Sequence, residues 1–249
     1  MSHLFNYTLQ QADNCLILGQ RLGEWCGHGP ILEQDIAMTN ISLDLIGQAR
    51  MLYQYAAEIQ GEGKSEDDLA YLRDAWGFKN VLLAEQPNGD FAKTILRQFL
   101  FDSFNCYFYD ALKSSNDENL AAIAAKSHKE ALYHLKWSGD WVLRLGDGTE
   151  ESHERIQHAL DELWSYSGEI VIASDADQTA SESGFGADLN AIKSRRDSKI
   201  REVLEEATLT IPESTYSHSG GKEGKHTEYL GFILADLQFL QRAYPGNEW

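Results

Sequence analysis

The chain has 249 residues, 43% of them hydrophobic, and a formal net charge of −18 at pH 7. This length is sufficient for one large buried core, and the acidity argues against nucleic-acid binding because there is no basic field to replace counterions. The same acidity would repel a nucleotide or coenzyme A unless a local basic patch or a partner subunit held the phosphates.

Sequence features also predict the compartment. No stretch reaches 18 uninterrupted apolar residues, and the N-terminal sequence Met-Ser-His-Leu-Phe-Asn lacks the basic and apolar regions of a signal peptide. Cys15, Cys26 and Cys106 lie in helical patterns without paired spacing. We therefore expect a cytoplasmic protein with reduced cysteines and no membrane contact.

Apolar residues at helical spacing predict four long helices. Their expected bounds are residues 7–25, 33–60, 90 to about 114, and 118–145. Short turns join them, except for the second connection, which contains a possible short helix at 67–75 and a turn at 86–89. This pattern predicts an antiparallel four-helix bundle with one crossover, the arrangement of ferritin-like proteins.

Further helices are expected after the bundle, at residues 150–166, 188 to about 208, and 226–243. The polar, acidic segment 174–187 is predicted to be a surface loop. We find no internal repeat or low-complexity linker, so we expect one all-α domain over residues 1–249. Its core bundle would span about 7–145, and the additional helices about 150–243.

Three of the predicted core helices carry a carboxylate on the face expected to be buried: Asp44, Asp102 and Glu130. A di-iron carboxylate site takes one acid from each of two helices and a Glu-x-x-His pair from each of the other two. At the histidine positions this chain has Gly47 and Tyr133, and His134 follows one place too late. The set is therefore a degenerate di-iron motif.

The first helix also departs from a di-iron ligand set. Its best-placed residue is an amide, Gln11, with Asp13 as a possible substitute. We therefore expect no bound metal or other cofactor and no catalytic residue. The carboxylates are instead predicted to be buried groups that hydrogen bonds satisfy, with Tyr133, His134, Gln11, Gln48 or Lys126 as candidate partners.

Two basic segments leave alternatives open. The helix from 188 to 208 carries a basic cluster that could bind an anion, although alternation with acidic residues favours a solvated, salt-bridged face. The basic cluster consists of Lys193, Arg195, Arg196, Lys199 and Arg201. The loop from Gly220 to Lys225 precedes a helix N-terminus, where an anion is stabilised, but we expect a flexible surface loop there.

Several longer strings together resemble the PaaC family, the structural C subunits of phenylacetate-CoA oxygenase (ring 1,2-phenylacetyl-CoA epoxidase). The resemblance covers nearly the whole chain. The strings are Asp13-Asn-Cys-Leu16, Gln20-Arg-Leu-Gly-Glu-Trp-Cys-Gly-His28, Leu43-Asp-Leu-Ile-Gly-Gln-Ala-Arg50, Glu85-Gln-Pro-Asn-Gly89, Lys129-Glu-Ala-Leu-Tyr-His-Leu135, His226-Thr-Glu-Tyr-Leu-Gly231 and Leu240-Gln-Arg242.

This resemblance implies a ferritin-like fold and a place in a multicomponent bacterial monooxygenase. In that family the A subunit holds the di-iron site, a reductase supplies electrons from NADPH, and the substrate is phenylacetyl-CoA. The C subunit would then be a non-catalytic partner of the A subunit, within a complex that contains further subunits. Alone, the chain is expected to form a homo-oligomer.

Two other functions are consistent with the residues. The chain could be a metal-dependent oxygenase in its own right, with an atypical ligand set that uses His134. It could also be a stand-alone helical protein that binds a ligand within the aromatic lining around Asp102. Iron content separates the first from the structural role, and co-purification with a homologous larger subunit separates the second.

Overall fold

The computed structural model describes residues 2–247, which form α-helices and short 3₁₀ turns without a β-strand. This architecture of four long helices followed by further helices confirms the predicted all-α class. The α-helices are α1 His3–Gly23, α2 Leu32–Gln60, α3 Glu66–Tyr71, α4 Leu82–Glu85, α5 Phe91–Leu112, α6 Glu118–Gly146, α7 Glu150–Leu163, α8 Asp175–Glu182, α9 Leu189–Glu206 and α10 Glu228–Ala243.

Local capping signals explain where α5 and α6 begin and where α2 ends, close to the predicted positions, whereas α1 begins four residues before its predicted start, at His3. The Asp90 side chain accepts a hydrogen bond from the backbone N–H of Lys93 at the start of α5, at 3.0 Å. Asp117 caps α6 in the same way through Leu120, at 2.9 Å. Helix α2 ends at Gly61, whose φ of 67° lies in the left-handed region that favours glycine.

The chain divides into two compact units, and the first combines the chain up to Pro87 with the chain from Gly220. Its centre is the antiparallel pair α1–α2. The Ser42 hydroxyl donates to the backbone oxygen of Gly19 at 2.7 Å, which is the kind of contact that only a close helix approach permits. Helix α10 joins this unit through Gln238, whose amide donates to the Ala70 oxygen at 3.1 Å.

The second unit spans residues 88–219 and is built around α5. Helix α5 is buried on nearly all sides, as expected for a helix with apolar residues all round. It pairs antiparallel with α6, where Phe99 packs against Gly139, and it also contacts α7 and α9. Each unit thus contains one of the two predicted long-helix hairpins. That residues 1–249 form one domain stays a prediction.

The segment 174–187 is not the surface loop that its composition predicts. Residues 175–182 form helix α8, which begins with a capping box in which Ser174 and Asp177 each bond the other's backbone N–H. Ala180 is fully buried, and Asp177 and Ala187 are nearly so. A capping signal and a few buried small residues therefore outweigh the polar composition here.

The expectation of a flexible surface loop at 220–225 is also wrong. Gly220, Gly221 and Lys222 are buried, and Gly221–Glu223 form a 3₁₀ turn. Gly220 has a φ of 124°, which only glycine adopts without strain. A Cβ on Gly221 would collide with the backbone oxygen of Asn80. The glycines serve close backbone packing rather than mobility.

Candidate functional site

Asp102 is the one carboxylate of the degenerate motif that lies fully in the interior. It projects from α5 within the second unit. Its Oδ1 accepts a hydrogen bond from Gln98 Nε2 at 2.7 Å, and its Oδ2 accepts one from the Ser138 hydroxyl of α6 at 2.8 Å. Both oxygens of this carboxyl group are therefore engaged by neutral donors, and one of these bonds crosses the α5–α6 hairpin.

The surroundings of Asp102 disfavour its charged form. Burial raises the pKa of Asp102 to about 6, against the opposing effects of the nearby His134 and the hydrogen bonds from Ser138 and Gln98. Because removal of a carboxylate from water is costly, a raised pKa is the expected response when burial outweighs these opposing effects. His134, which the sequence placed beside the motif, is itself fully buried.

The other positions of the motif are less buried than predicted. Asp44 and Glu130 are only half-buried, and the Tyr133 side chain is 50% exposed. A Cβ built at Gly47 would meet nothing within 4 Å. The expectation that all three carboxylates are enclosed is therefore wrong for Asp44 and Glu130, and Gly47 and Tyr133 do not lie in a closed pocket.

These residues do not fit a di-iron centre. Among residues 2–247, no three His, Cys, Asp or Glu side chains lie in an arrangement that could hold a metal ion. The oxygens of Asp102 already accept from an amide and a hydroxyl, whereas iron needs carboxylates and imidazoles directed at one point. The side chain at 133 is a half-exposed phenol in place of the required imidazole.

Asp13, the possible acid from the first helix, has a different set of partners. It is fully buried and pairs with Arg73, and it accepts hydrogen bonds from the Tyr53 hydroxyl at 2.6 Å and the Lys79 backbone N–H at 2.7 Å. Burial and the charge of Asp13 raise the pKa of Tyr53 well above its ordinary value. Asp13 thus fixes the 66–79 connection to the α1–α2 hairpin.

A second buried polar cluster, which the sequence analysis missed, is centred on Glu85. His226 Nδ1 lies 2.8 Å from Glu85 Oε1, and the other ring nitrogen lies 2.9 Å from the Phe78 backbone oxygen. Glu85 Oε2 accepts from both the backbone N–H and the hydroxyl of Thr227, at 3.0 and 2.6 Å. The N-terminus of α10 therefore does bind an anion, and that anion is a side chain of this protein.

Comparison with known proteins decides the family. Residues 1–249 match the model of the family described as "Phenylacetic acid catabolic protein". The chain is also 48% identical over 249 residues to the C subunit of 1,2-phenylacetyl-CoA epoxidase from Escherichia coli (strain K12), with all of both chains covered. The chain belongs to the phenylacetic acid catabolic protein family. The membership that the resemblance predicted is confirmed.

In this phenylacetic acid catabolic protein, several strings that carried the resemblance contact one another. Arg21, from the first long string, donates to the backbone oxygen of Glu85 at 2.9 Å. Asn14, from the first string, accepts from the backbone N–H of Val81, which lies four residues before the Glu85 string, at 2.8 Å. Glu85 in turn meets His226, which lies 141 positions away along the chain. This separation left no local signal for the Glu85 cluster, although both ends lie in the strings quoted above.

The first half of α2 carries a stripe of exposed apolar side chains. Four apolar side chains on the outward side of α2 are exposed, with Leu32 at 72% and Leu43 at 61%. The other two are Ile36 and Ile46, and Gly47 is open on the same helix. Exposed apolar residues that are grouped on one face, unlike single ones, mark interaction sites. No helix among residues 2–247 is both long and apolar enough to cross a membrane.

Proposed function

We propose that this chain is a non-catalytic structural subunit of a phenylacetyl-CoA 1,2-epoxidase complex in phenylacetate degradation. The observation that carries the proposal is the 48% identity to the C subunit of the Escherichia coli enzyme over the full length of both chains. The catalytic A subunit would hold the di-iron site, and a reductase among the other subunits would supply electrons. The complex would work in the cytoplasm.

The polar interior supports a structural role over the alternative of an oxygenase with an atypical ligand set. That alternative needs His134 to join carboxylates at one metal. Asp102 instead accepts hydrogen bonds from Gln98 and Ser138, and Glu130 is only half-buried. The chemistry that this arrangement supports is hydrogen bonding that holds α5 against α6. Under this proposal the chain binds no cofactor of its own.

The partner surface under this proposal is the apolar stripe of α2, defined by Leu32, Ile36, Leu43 and Ile46. The stripe spans residues 32–46 of α2, which corresponds to a contact line about 21 Å long. When the chain is alone, the same stripe would pair with a second copy and give a homo-oligomer. Such a pairing would be replaced when the A subunit binds.

Aromatic residues dominate the energetics of interfaces, so the tryptophans outside the long helices are further interface candidates. Trp76 remains a candidate because its side chain is 75% exposed. Trp164 is only half-buried, but its indole N–H donates to the Ser214 backbone oxygen at 3.3 Å, which ties it to its own unit. Trp249 lies outside the described residues.

Co-expression with a tagged A subunit tests the proposal. We expect the chain to co-purify with the A subunit in fixed stoichiometry and iron to follow the A subunit, with none in this chain purified alone after growth in excess iron. Leu32→Glu with Leu43→Glu should abolish co-purification. Leu72→Glu is the matched control, because Leu72 is also exposed, at 52%, but lies off the stripe. Stoichiometric iron in the isolated chain would instead support the atypical oxygenase.

A further inference from the structure

The second unit contains a half-open cavity of about 390 Å³ that the proposed function does not use. Helix α9 forms one wall, the 3₁₀ segment at 164–172 forms another, and the extended segment at 211–217 closes the third side. Its volume lies within the range of small-molecule sites, about 300–1,000 Å³. Sites of this kind combine an apolar wall with a few directed polar groups.

The charge of this cavity is opposite to that of the protein. The chain carries a net charge of −18, yet the charged side chains that line the cavity are three cations and one carboxylate, a local excess of two positive charges. The cations are Lys193, Arg196 and Arg201, and the carboxylate is Asp197. A positive concave surface on an acidic protein selects for anions because the field is focused there.

Arg196 is the polar anchor of the cavity. It is only 4% exposed, and its guanidinium donates to Asp197 Oδ1 at 3.0 Å and to the Ser167 backbone oxygen at 2.6 Å. Its Nε is buried and has no acceptor among residues 2–247. Burial lowers the pKa of Arg196, against the effect of Asp197. A buried guanidinium whose donors are not all used is stabilised by a further acceptor.

Arg201 and Lys193 lie at the opening. Arg201 is exposed and forms no ion pair with a described residue, so its charge is available to a ligand. Lys193 shares Asp197 with Arg196, through a contact of 2.5 Å to Asp197 Oδ2. Asp197 thus partly neutralises Lys193 and Arg196, whereas Arg201 has no carboxylate partner among the described residues. The basic cluster of the sequence therefore divides into two groups. Arg195 and Lys199 form ion pairs and do not line the cavity, whereas Lys193, Arg196 and Arg201 line it.

The remaining wall is apolar and aromatic. Trp164, Ile172, Ile200 and Tyr216 all line the cavity. Ile172 is 49% exposed and Tyr216 is 63% exposed, although both side chains would be covered by a ligand in the cavity. An apolar body placed against them would gain about 25 cal/mol for each Å² removed from water. A bare inorganic anion would leave this surface exposed.

We propose that this cavity binds a small organic anion, a carboxylate or phosphate monoester that carries an apolar body. The anionic head pairs with Arg196 and Arg201, and the apolar body packs between Trp164 and Ile200 of α9. The site lies wholly within the second unit and does not depend on the proposed structural role.

Isothermal titration calorimetry of the full chain with four probes tests this inference. The probes are hexanoate, hexyl phosphate, inorganic phosphate and hexylamine. We expect hexanoate or hexyl phosphate to bind at least about ten-fold more tightly than inorganic phosphate, a difference of about 1.4 kcal/mol, and hexylamine to give no binding heat. The two hexyl anions distinguish a carboxylate site from a phosphate site.

Variants of exposed residues assign the binding to this cavity without disturbing the fold. Lys193→Gln with Arg201→Gln should weaken the tighter hexyl anion about ten-fold or more. Lys199→Gln is the matched control, because Lys199 lies on the same helix, pairs with Glu202 and does not line the cavity. The inference fails if no anion binds, if Lys199→Gln weakens binding as much, or if inorganic phosphate binds as tightly as the tighter of the two hexyl anions.

Discussion

The Ser138 hydroxyl donates a hydrogen bond of 2.8 Å to the carboxyl group of Asp102, and this bond joins α6 to α5 inside the second unit. The same carboxyl group accepts from Gln98, one turn earlier on its own helix. Asp102 therefore contributes to the packing of a helical hairpin. Where the degenerate motif suggests a metal ligand, the protein has an interhelical hydrogen bond.

Asp102 should make stability fall as pH rises through the weakly acidic range. Its pKa is about 6 in the folded protein against 3.8 for an ordinary aspartate, so the folded state binds the proton more tightly. The associated stability is fully present below about pH 4 and is lost as pH rises through 6, a change on the order of 2–3 kcal/mol. Urea denaturation between pH 4 and pH 7 measures it.

The Asp102→Asn variant isolates this contribution from those of other titrating groups. The difference in unfolding free energy between Asp102→Asn and the natural chain should move in favour of the variant as pH rises from 4 to 7. Asp140→Asn, at a partly exposed position of α6 paired with Lys136, is the control and should show no such trend. A pH-independent difference for Asp102→Asn would mean that Asp102 is ionised throughout.

Loss of the Glu85 charge should destabilise the first unit strongly. Glu85→Gln leaves His226 without its carboxylate and presents an amide N–H to the donors of Asn80 or Thr227. A buried donor that is left without its acceptor costs about 1–3 kcal/mol of unfolding free energy. Chemical denaturation at pH 7 checks this value.

Glu162→Gln is the matched control for Glu85. Like Glu85, Glu162 has a histidine partner, His158, and it also pairs with Lys93. Its side chain, however, is 41% exposed. An exposed pair contributes about 0–1 kcal/mol, so the control should lose no more than that. Equal losses for the two variants would contradict a structural role for the buried cluster.

Two glycines should respond in opposite ways to alanine. Gly47 lies inside α2 with open space at its Cβ position, so Gly47→Ala should stabilise the isolated chain by about 0.5–1 kcal/mol. Gly221→Ala should destabilise it by about 1–3 kcal/mol, because the Cβ meets the Asn80 backbone oxygen. Thermal unfolding compares them. If Gly47→Ala is destabilising instead, this part of α2 is packed more closely than the structure indicates.

The long helices were predictable because their signals are local: apolar spacing, a capping aspartate at 90 or 117, and a glycine at 61. The inner face of α2 was harder to predict. Its apolar residues occur on both sides of the helix, with Leu45 buried and Leu43 exposed, so periodicity alone does not say that Asp44 is half-buried. The Glu85–His226 contact depends on tertiary packing, which no local pattern encodes.

The role proposed for this chain is to support a catalytic partner without chemistry of its own. Its most direct test is the epoxidation rate of the reconstituted complex when Asp44→Asn, Asp102→Asn and Glu130→Gln are combined in this chain. For a complex that still assembles, as size-exclusion chromatography verifies, we predict unchanged iron content and an unchanged rate per A subunit. Loss of iron or of turnover in the assembled complex would contradict this role.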